Sequence, residues 1–445
     1  MPSLEHFTYA IRTMGCKANL TDSQSLEARL RQLGGRAAPE ETADLFLLNT
    51  CTVTDQADKE ARALLRKGRA PFTIATGCLA QVDPDQLAAV NTGERKVRVL
   101  RNSGKDELEA VVQEWLLGAV EAQKIASGDR VGWHQKFLEN HDPAEPIEAA
   151  ARTRAFYKVQ DGCNAFCAYC VIPLARGRSR SLPASQVVKE VQGIVDSGVK
   201  EVVLTAIHAA DYESEGLDFT GLVNKILAET SVPRLRLTSL DPAEIPDRLL
   251  GLMELNSRLC PHFHVSLQAA NSRVLQGMKR AYGAAEVAER LLAIAKKLPH
   301  AYVGMDLIAG FPGETLAEFA DGLARLERLP FTKAHVFPFS ARRNTAAARL
   351  VEAGHAVPAE EIKERAAQLR ILSEKKFQAA LKSKVGSVVE VLVEEKRVPV
   401  GTRTCSVGHA RNFHKVLIPG HHPANDLKRA RIVGVYKDCL KGELV

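Results

Sequence analysis

The chain has 445 residues, enough for about three domains of ordinary size. Apolar residues make up 45% and charged residues 25%, a soluble globular balance that excludes collagen-like and disordered chains. The net charge of +7 is concentrated at one end: residues 383–445 carry 11 Lys/Arg against 6 Asp/Glu, while residues 1–125 carry 16 against 17. That tail suggests an acidic partner such as nucleic acid, although a solvated basic face reads equally well on charge alone.

No apolar run approaches the ~18–20 residues of a membrane span, and the opening MPSLEHFTYAIRTMGC is not a signal peptide. The expected location is the cytoplasm, with no membrane partner. Over residues 1–125 one pattern repeats: an apolar run, a turn, then an amphipathic stretch. HFTYAIRTMGC leads into DSQSLEARLRQLG, ADLFLLNTC into QADKEARALLRKG, and PFTIATGC into DPDQLAAV. Strands alternating with amphipathic helices predict an α/β fold with a parallel sheet. Residues 126–151 are polar, lack a period and read as a linker.

From residue 152 to 382 a second βα series follows, with strands AFYKV, KEVVLTAI, RLRLTSL, HFHVSLQ, YVGMDLIAG and KAHVFPF. Helices are expected from near Ser185, Thr220, Pro246, Ala284 and Thr315, and a long one over Ala359–Lys382. Six such units predict a partial (β/α)6 barrel with its chemistry at the C-terminal strand ends. Residues 383–445 are Val-rich and Gly-punctuated, which predicts a small antiparallel β barrel of roughly five strands.

Nine cysteines in a reducing compartment are not a disulfide framework, so those that cluster point to metal or catalysis. Cys163, Cys167 and Cys170 form a CxxxCxxC loop directly after the first barrel strand. Three thiolates on one loop can hold three irons of a [4Fe–4S] cluster and leave the fourth open to S-adenosylmethionine (SAM). Structural zinc normally pairs two such hooks, and no second hook stands nearby. Cys16, Cys51 and Cys78 each fall at or just beyond the end of an N-terminal strand. In a parallel sheet those ends share one edge, where ligands of α/β folds bind.

The CxxxCxxC loop and the βα series that follows it resemble the radical SAM superfamily. The words TMGCKANLTDSQ, LLNTCTVT and TGCLAQ resemble its methylthiotransferase family, and the match runs over essentially the whole chain. The resemblance implies an N-terminal α/β methylthiotransferase domain (1–125), a radical SAM partial barrel (152–382) and a C-terminal TRAM-like β barrel (383–445). It implies two [4Fe–4S] clusters. One is the radical SAM cluster on Cys163, Cys167 and Cys170; the other is an auxiliary cluster on Cys16, Cys51 and Cys78 that carries sulfur. It implies that one SAM methylates the sulfur, and that a second yields the radical that activates a C–H bond. SAM contacts are expected from Thr205, Ser239, Gln268, Gly310 and Gly313, although the two glycines read equally as a tight βα turn.

Within the family, NTCTVT (49–54) and IPLARGRSRS (172–181) look most like the branch acting on N6-threonylcarbamoyladenosine, 3′ to the tRNA anticodon. Arg176, Arg178 and Arg180 alternate, as residues sharing one side of an extended loop do. They are candidates for binding phosphate or the threonyl carboxylate, or else belong to a solvated loop making salt bridges. In the tail, Arg403, Arg411, Lys415, Lys428, Arg429 and Arg431 are candidate phosphate contacts for the anticodon stem-loop. Phe413 and His414 are candidates for base stacking, with core packing the plainer reading of Phe413. Cys260, Cys405 and Cys439 lie outside both triads and read as buried thiols. An electron donor and a sulfur source are implied partners.

Some words depart from the family pattern. Leu267-Gln268-Ala269-Ala270-Asn271 stands where Leu-Gln-Ser-Gly-Ser is usual, Thr205-Ala206 where Thr-Gly is, and Arg342-Arg343-Asn344-Thr345 where Arg-x-Gly-Thr is. Asn tolerates positive φ, which makes the last change mild. The alternatives within the family are an enzyme for a ribosomal-protein aspartate or for isopentenyladenosine tRNA. The alternative from another class is an Fe–S redox sensor that binds nucleic acid.

Overall fold

The computed structural model of the chain describes residues 6–90, 96–118, 153–238 and 240–445. The expected linker and Ser239 lie outside the described residues. The described residues form two compact units that do not follow chain order.

The first unit combines the N-terminal region with residues 161–182 and 340–348. Its centre is a five-stranded parallel sheet of β1 (Phe7–Thr13), β2 (Gly35–Ala37), β3 (Leu45–Thr50), β4 (Phe72–Gly77) and β5 (Lys96–Val99), in the order β2-β1-β3-β4-β5. β3 (LFLLNT) and β4 (FTIATG) are buried throughout, as strands covered on both faces must be. Leu45 and Leu47 face one cluster with Phe7, Leu26 and Val111; Phe46 and Leu48 face the opposite cluster with Ala61 and Leu65. Helix α1 (Lys17–Gln32) follows β1 and α2 (Asp55–Lys67) follows β3. Thr54 caps α2 by accepting from the Ala57 amide. Strand order reverses direction between β1 and β3, and the crevice beyond their C-terminal ends is the usual ligand position in such sheets.

Two short segments from later in the chain are fastened into this unit. The Ala347 amide donates to the Ala168 carbonyl (2.8 Å), and the Asp55 amide donates to Ser340 Oγ (3.0 Å).

The second unit contains the six expected parallel strands. Arg154–Lys158, Glu201–Thr205 and Arg234–Leu237 pair in that order, as do His262–Gln268, Tyr302–Ala309 and Lys333–Pro338. Parallel bridges Leu235–Leu259 and Leu240–Val265 connect the two halves. The intervening helices are Ala184–Asp196, Phe219–Glu229, Asp247–Leu255, Ala284–Lys297 and Leu316–Arg328, and the long helix covers Ala359–Lys382. Ser373 on that helix grips the last barrel strand, accepting from the Ala334 amide and donating to its carbonyl.

Five further strands from Val388 to Leu444 close into a small barrel. It is not wholly antiparallel: Lys415–Pro419 and Cys439–Leu444 run parallel, with Val416 opposite Leu440. Closure requires that seam because the Leu427–Tyr436 strand lies between those two in sequence but pairs on the far side.

Candidate functional site

Cys51 follows β3 directly and is buried; Cys78 follows β4 directly, opens a short helix and is buried. Cys16 is the N-terminal cap of α1, three residues beyond β1, and is exposed. Because β1, β3 and β4 are neighbours, the three thiols meet at one sheet edge. Cys51 senses the charge of both Cys78 and Cys16.

Glycines admit this approach. Gly15 has φ +87°, and a Cβ there would stand 2.8 Å from the Cys51 sulfur. Gly77 has φ +96°, and its Cβ would meet the Thr50 carbonyl oxygen at 2.4 Å. Burial pushes the Cys51 thiol up to about 12, and burial also raises Cys78, which Arg176 partly opposes. Converging thiols that resist ionising alone suit a cationic iron cluster, whose bound ligands are thiolates.

Asn19 joins the three loops. Its Nδ2 donates to the carbonyls of Met14 (2.8 Å) and Thr50 (3.0 Å), and its Oδ1 lies 3.8 Å from Cys78 Sγ. Asn49 Nδ2 in turn donates to the Asn19 carbonyl at 2.8 Å.

The second triad occupies a loop of the same unit. Cys167 is buried, while Cys163 and Cys170 are half-buried. The Cys170 amide donates to the Cys167 carbonyl at 3.0 Å, and the Cys163 amide to the Gly177 carbonyl at 3.2 Å. Gly162, at φ +74°, passes so close that a Cβ would lie 2.0 Å from the Arg178 carbonyl oxygen. Phe166 adopts φ 48° and is exposed beneath the Arg178 guanidinium, 4.4 Å from ring centre.

Two of the three alternating arginines are not available to RNA. Ile172–Arg176 is a short helix that turns Arg176 inward, where it is 1% exposed. Its Nη1 donates to both carboxylate oxygens of Asp161 (2.9 and 3.0 Å); its Nη2 donates to Asp22 (2.8 Å) and Asn19 Oδ1 (2.5 Å). Burial opposes the Arg176 charge, yet Asp161 and Asp22 outweigh it and strengthen its hold on the proton. Arg180 is also buried, against Asp161 (3.2 Å) and the Arg176 carbonyl (2.7 Å). Only Arg178 of the three is exposed. Sequence reasoning missed Asn19, Asp22 and Asp161; the available signal was the spacing of Asn19 and Asp22 on the helix that Cys16 begins.

In the second unit, Thr205, Gln268 and Gly310 lie at the C-terminal ends of three barrel strands. Gln268 adopts φ 69° after a register shift, a strained position for a side chain with a Cβ. Phe311 to Glu314 form a turn closed by the Glu314 amide on the Phe311 carbonyl, with Gly313 at φ +78°. Gly313 thus lies inside this turn, and Gly310, at φ +78°, just before it. A Cβ on Gly310 would also strike Ile362 of the long helix at 2.4 Å. Asn271 caps the helix Ser272–Gly277, and Asn344 adopts φ 64°, so both departures serve the backbone.

The small barrel corrects the expectation for its aromatic residues. Phe413 packs between His262 (4.5 Å) and His409 (5.1 Å), with Arg236 at 5.1 Å from its ring centre. His414 is buried against Tyr302 and Phe377, and burial lowers it to about 4. Arg411 is half-buried, with Nη2 donating to the Leu259 carbonyl at 3.1 Å. These three residues hold the small barrel on the six-stranded one. Buried Glu201 supports them: burial works to raise its carboxyl, but Arg236 and Arg234 hold it down at about 2. Arg403, Lys415, Arg429 and Arg431 are exposed, and half-buried Lys428 pairs with Asp426 at 3.1 Å. Cys260 and Cys405 are buried as expected, whereas Cys439 is half-buried beside Asp438.

A loop of three cysteines directly after the first strand of a series of six parallel βα strands marks a radical SAM protein, and the family model described as "Radical SAM superfamily" matches residues 157–326. A second model, "Uncharacterized protein family UPF0004", matches residues 8–97. The fold is similar to the radical SAM methyltransferase TsrM of Kitasatospora setae, with a TM-score of 0.54 at 15% identity over 75% of this chain and 72% of that one.

Among curated relatives, the threonylcarbamoyladenosine tRNA methylthiotransferase MtaB of Bacillus subtilis is 32% identical over 93% of this chain and 90% of its own length. The protein of the same name from Chlamydia pneumoniae is 32% identical over 98% of both. The tRNA-2-methylthio-N(6)-dimethylallyladenosine synthase of Anaeromyxobacter sp. (strain K) is 32% identical over 98% of this chain and 93% of its own. The chain belongs to the radical SAM methylthiotransferase family. Among the described residues no helix is long and apolar enough to cross a membrane.

Proposed function

We propose that this enzyme places a methylthio group on C2 of N6-threonylcarbamoyladenosine, 3′ to the anticodon of tRNA, in the cytoplasm. The observation that carries the reading is the presence of two cysteine triads in one compact unit, one of them at the switch point of its sheet. Cys163, Cys167 and Cys170 hold the radical SAM cluster, and Cys16, Cys51 and Cys78 the auxiliary one. When bound, the clusters and SAM supply one-electron chemistry and a sulfur atom, which side chains cannot.

The chain's own contribution is placement. Gly15, Gly77 and Gly162 let the loops approach, and Asn19 and Arg176 fix them to each other. Thr205, Gln268, Gly310 and Gly313, at or just beyond the barrel strand ends, are assigned to SAM. Exposed Arg178, Arg403, Lys415, Arg429 and Arg431 are assigned to the phosphates of the anticodon stem-loop. An external electron donor and a sulfur source complete the reaction.

The MtaB relatives support the threonylcarbamoyl substrate, as do the words NTCTVT and IPLARGRSRS. The test is nucleoside mass spectrometry after anaerobic reconstitution with SAM, reductant, sulfide and tRNA that carries threonylcarbamoyladenosine. Appearance of the 2-methylthio nucleoside is the expected result. Product only with tRNA that carries dimethylallyladenosine moves the enzyme to the other branch. Deoxyadenosine without any modified tRNA refutes a tRNA substrate, and a cluster-loaded protein that yields neither product refutes the enzyme.

A further inference from the structure

Beside the cysteine loops of the first unit lies a cavity of about 480 Å³, within the usual range of small-molecule sites. Its wall includes Thr52, Leu79 and Val171, the immediate neighbours of Cys51, Cys78 and Cys170. A ring seated there is bordered by the chain neighbours of both triads, and Leu79, Val171 and Ala341 offer it apolar contact.

Arg342 and Arg343 enter from the segment 340–348. Arg342 is 9% exposed; its Nη2 is paired with Asp58, while its Nε and Nη1 are buried and have no hydrogen-bond partner among the described residues. Native interiors seldom leave guanidinium donors unused. Arg343 is exposed, with Nη1 2.7 Å from Asp83.

The lining sets Arg62, Arg342 and Arg343 against Asp55, Asp58 and Asp83. That balance disfavours a polyanion such as a phosphodiester chain. It suits one carboxylate on a group that also carries N–H and O–H donors, the carboxylate meeting arginine and the donors meeting aspartate.

We infer that this cavity receives the N6 substituent of the modified adenosine, with Arg342 and Arg343 binding its carboxylate. The inference rests on the proposed function. It follows from ring chemistry: C2 and C6 both flank N1 of the six-membered ring. Holding C2 at the triads therefore keeps the N6 substituent within about one ring's width of them. The role that sequence alternation offered to Arg176 and Arg180 passes to arginines with donors to spare. The methionyl carboxylate of SAM shares the same chemistry, so the test must separate the two.

The probes are the nucleoside N6-threonylcarbamoyladenosine, its neutral methyl ester, and SAM, titrated into the cluster-loaded protein without reductant. Wild type is expected to prefer the acid over the ester by about 10- to 100-fold, the range of a charged hydrogen bond. Arg343→Gln, which disturbs only a surface pair, and Arg342→Lys should each lose most of that preference while SAM binding stays unchanged.

Equal binding of acid and ester by wild type overturns the inference, as does an unchanged preference in both variants. Weakened SAM binding with the preference intact also overturns it, by giving the arginines to SAM. Turnover of threonylcarbamoyl tRNA without an acid preference sinks this inference and keeps the proposed function. An acid preference without turnover does the reverse.

Discussion

Cys16, Cys51 and Cys78 stand 35 and 27 residues apart and meet because three adjacent parallel strands end on one edge; Cys163, Cys167 and Cys170 need only one loop. The first set is precise because regular elements carry it, and two of its thiols are buried. The second is irregular and more open, and its stiffness is borrowed. Asp161 at its start takes Arg176 and Arg180 from its end, and Arg176 continues into Asn19 and Asp22 of the first set. The sheet edge is a frame, and the loop is clamped to it.

The largest expected effect separates the two sets chemically. Cys163→Ala should abolish both deoxyadenosine formation and methylthio insertion. Cys51→Ala should retain deoxyadenosine formation and lose insertion altogether. Chromatography of the nucleosides checks both, and a Cys51→Ala variant that still inserts sulfur breaks the division of labour.

The clamp comes next. Arg176→Met removes the guanidinium that buried Asp161 and Asp22 share and leaves each with one remaining cation, Arg180 and Lys105, a loss of at most about 3–5 kcal/mol. Urea unfolding of the cluster-free protein should show it as a lower midpoint. A variant as stable as wild type would mean that the loop stands without the frame.

Acid probes the second unit, which the comparison predicts to be independent of either set. His414 is held at about 4 by burial, with Lys384 adding to the effect, against about 6.5 in an unfolded chain. The unfolded state therefore takes up the proton first. The contribution of the neutral buried ring is complete above about pH 6.5, and it is lost as pH falls toward 4, amounting to about 3 kcal/mol. Equilibrium unfolding of His414→Gln between pH 7 and 4.5 should lack this part of the acid loss. His262 and His409, also lowered by burial, should keep theirs.

The smallest effect sharpens the view of the frame. Thr54→Ala removes the cap of the helix that begins just after Cys51, costing about 1 kcal/mol. Iron content should not change, because the strand end rather than the helix places the thiol.

Much of this was legible in the sequence because it is local or periodic. The CxxxCxxC loop is a contiguous word, the six barrel strands alternate with amphipathic helices, and the apolar runs LFLLNT and FTIATG announce strands covered on both faces. The meeting of Cys16, Cys51 and Cys78 was legible only through topology. What stayed hidden was the direction in which polar side chains turn. Alternation suggested that Arg176 and Arg180 lie along an accessible loop, but partners 154 and 15 residues away draw Arg176 into the interior. Phe413 and His414 sit in a basic, nucleic-acid-like word, yet their rings close the core between the two barrels of the second unit. Arg342 stood as the ordinary first residue of a family word whose departure is Asn344; its buried donors without a partner among the described residues appear only once Asp58 is seen to take one end.

The central claim is that two separate triads each hold a cluster. Iron and acid-labile sulfide per chain, measured after anaerobic reconstitution, test it most directly when wild type is set beside the triple variants C16A/C51A/C78A and C163A/C167A/C170A. About eight irons are expected for wild type and about four for each triple variant. A C16A/C51A/C78A protein that retains the full wild-type iron would contradict it.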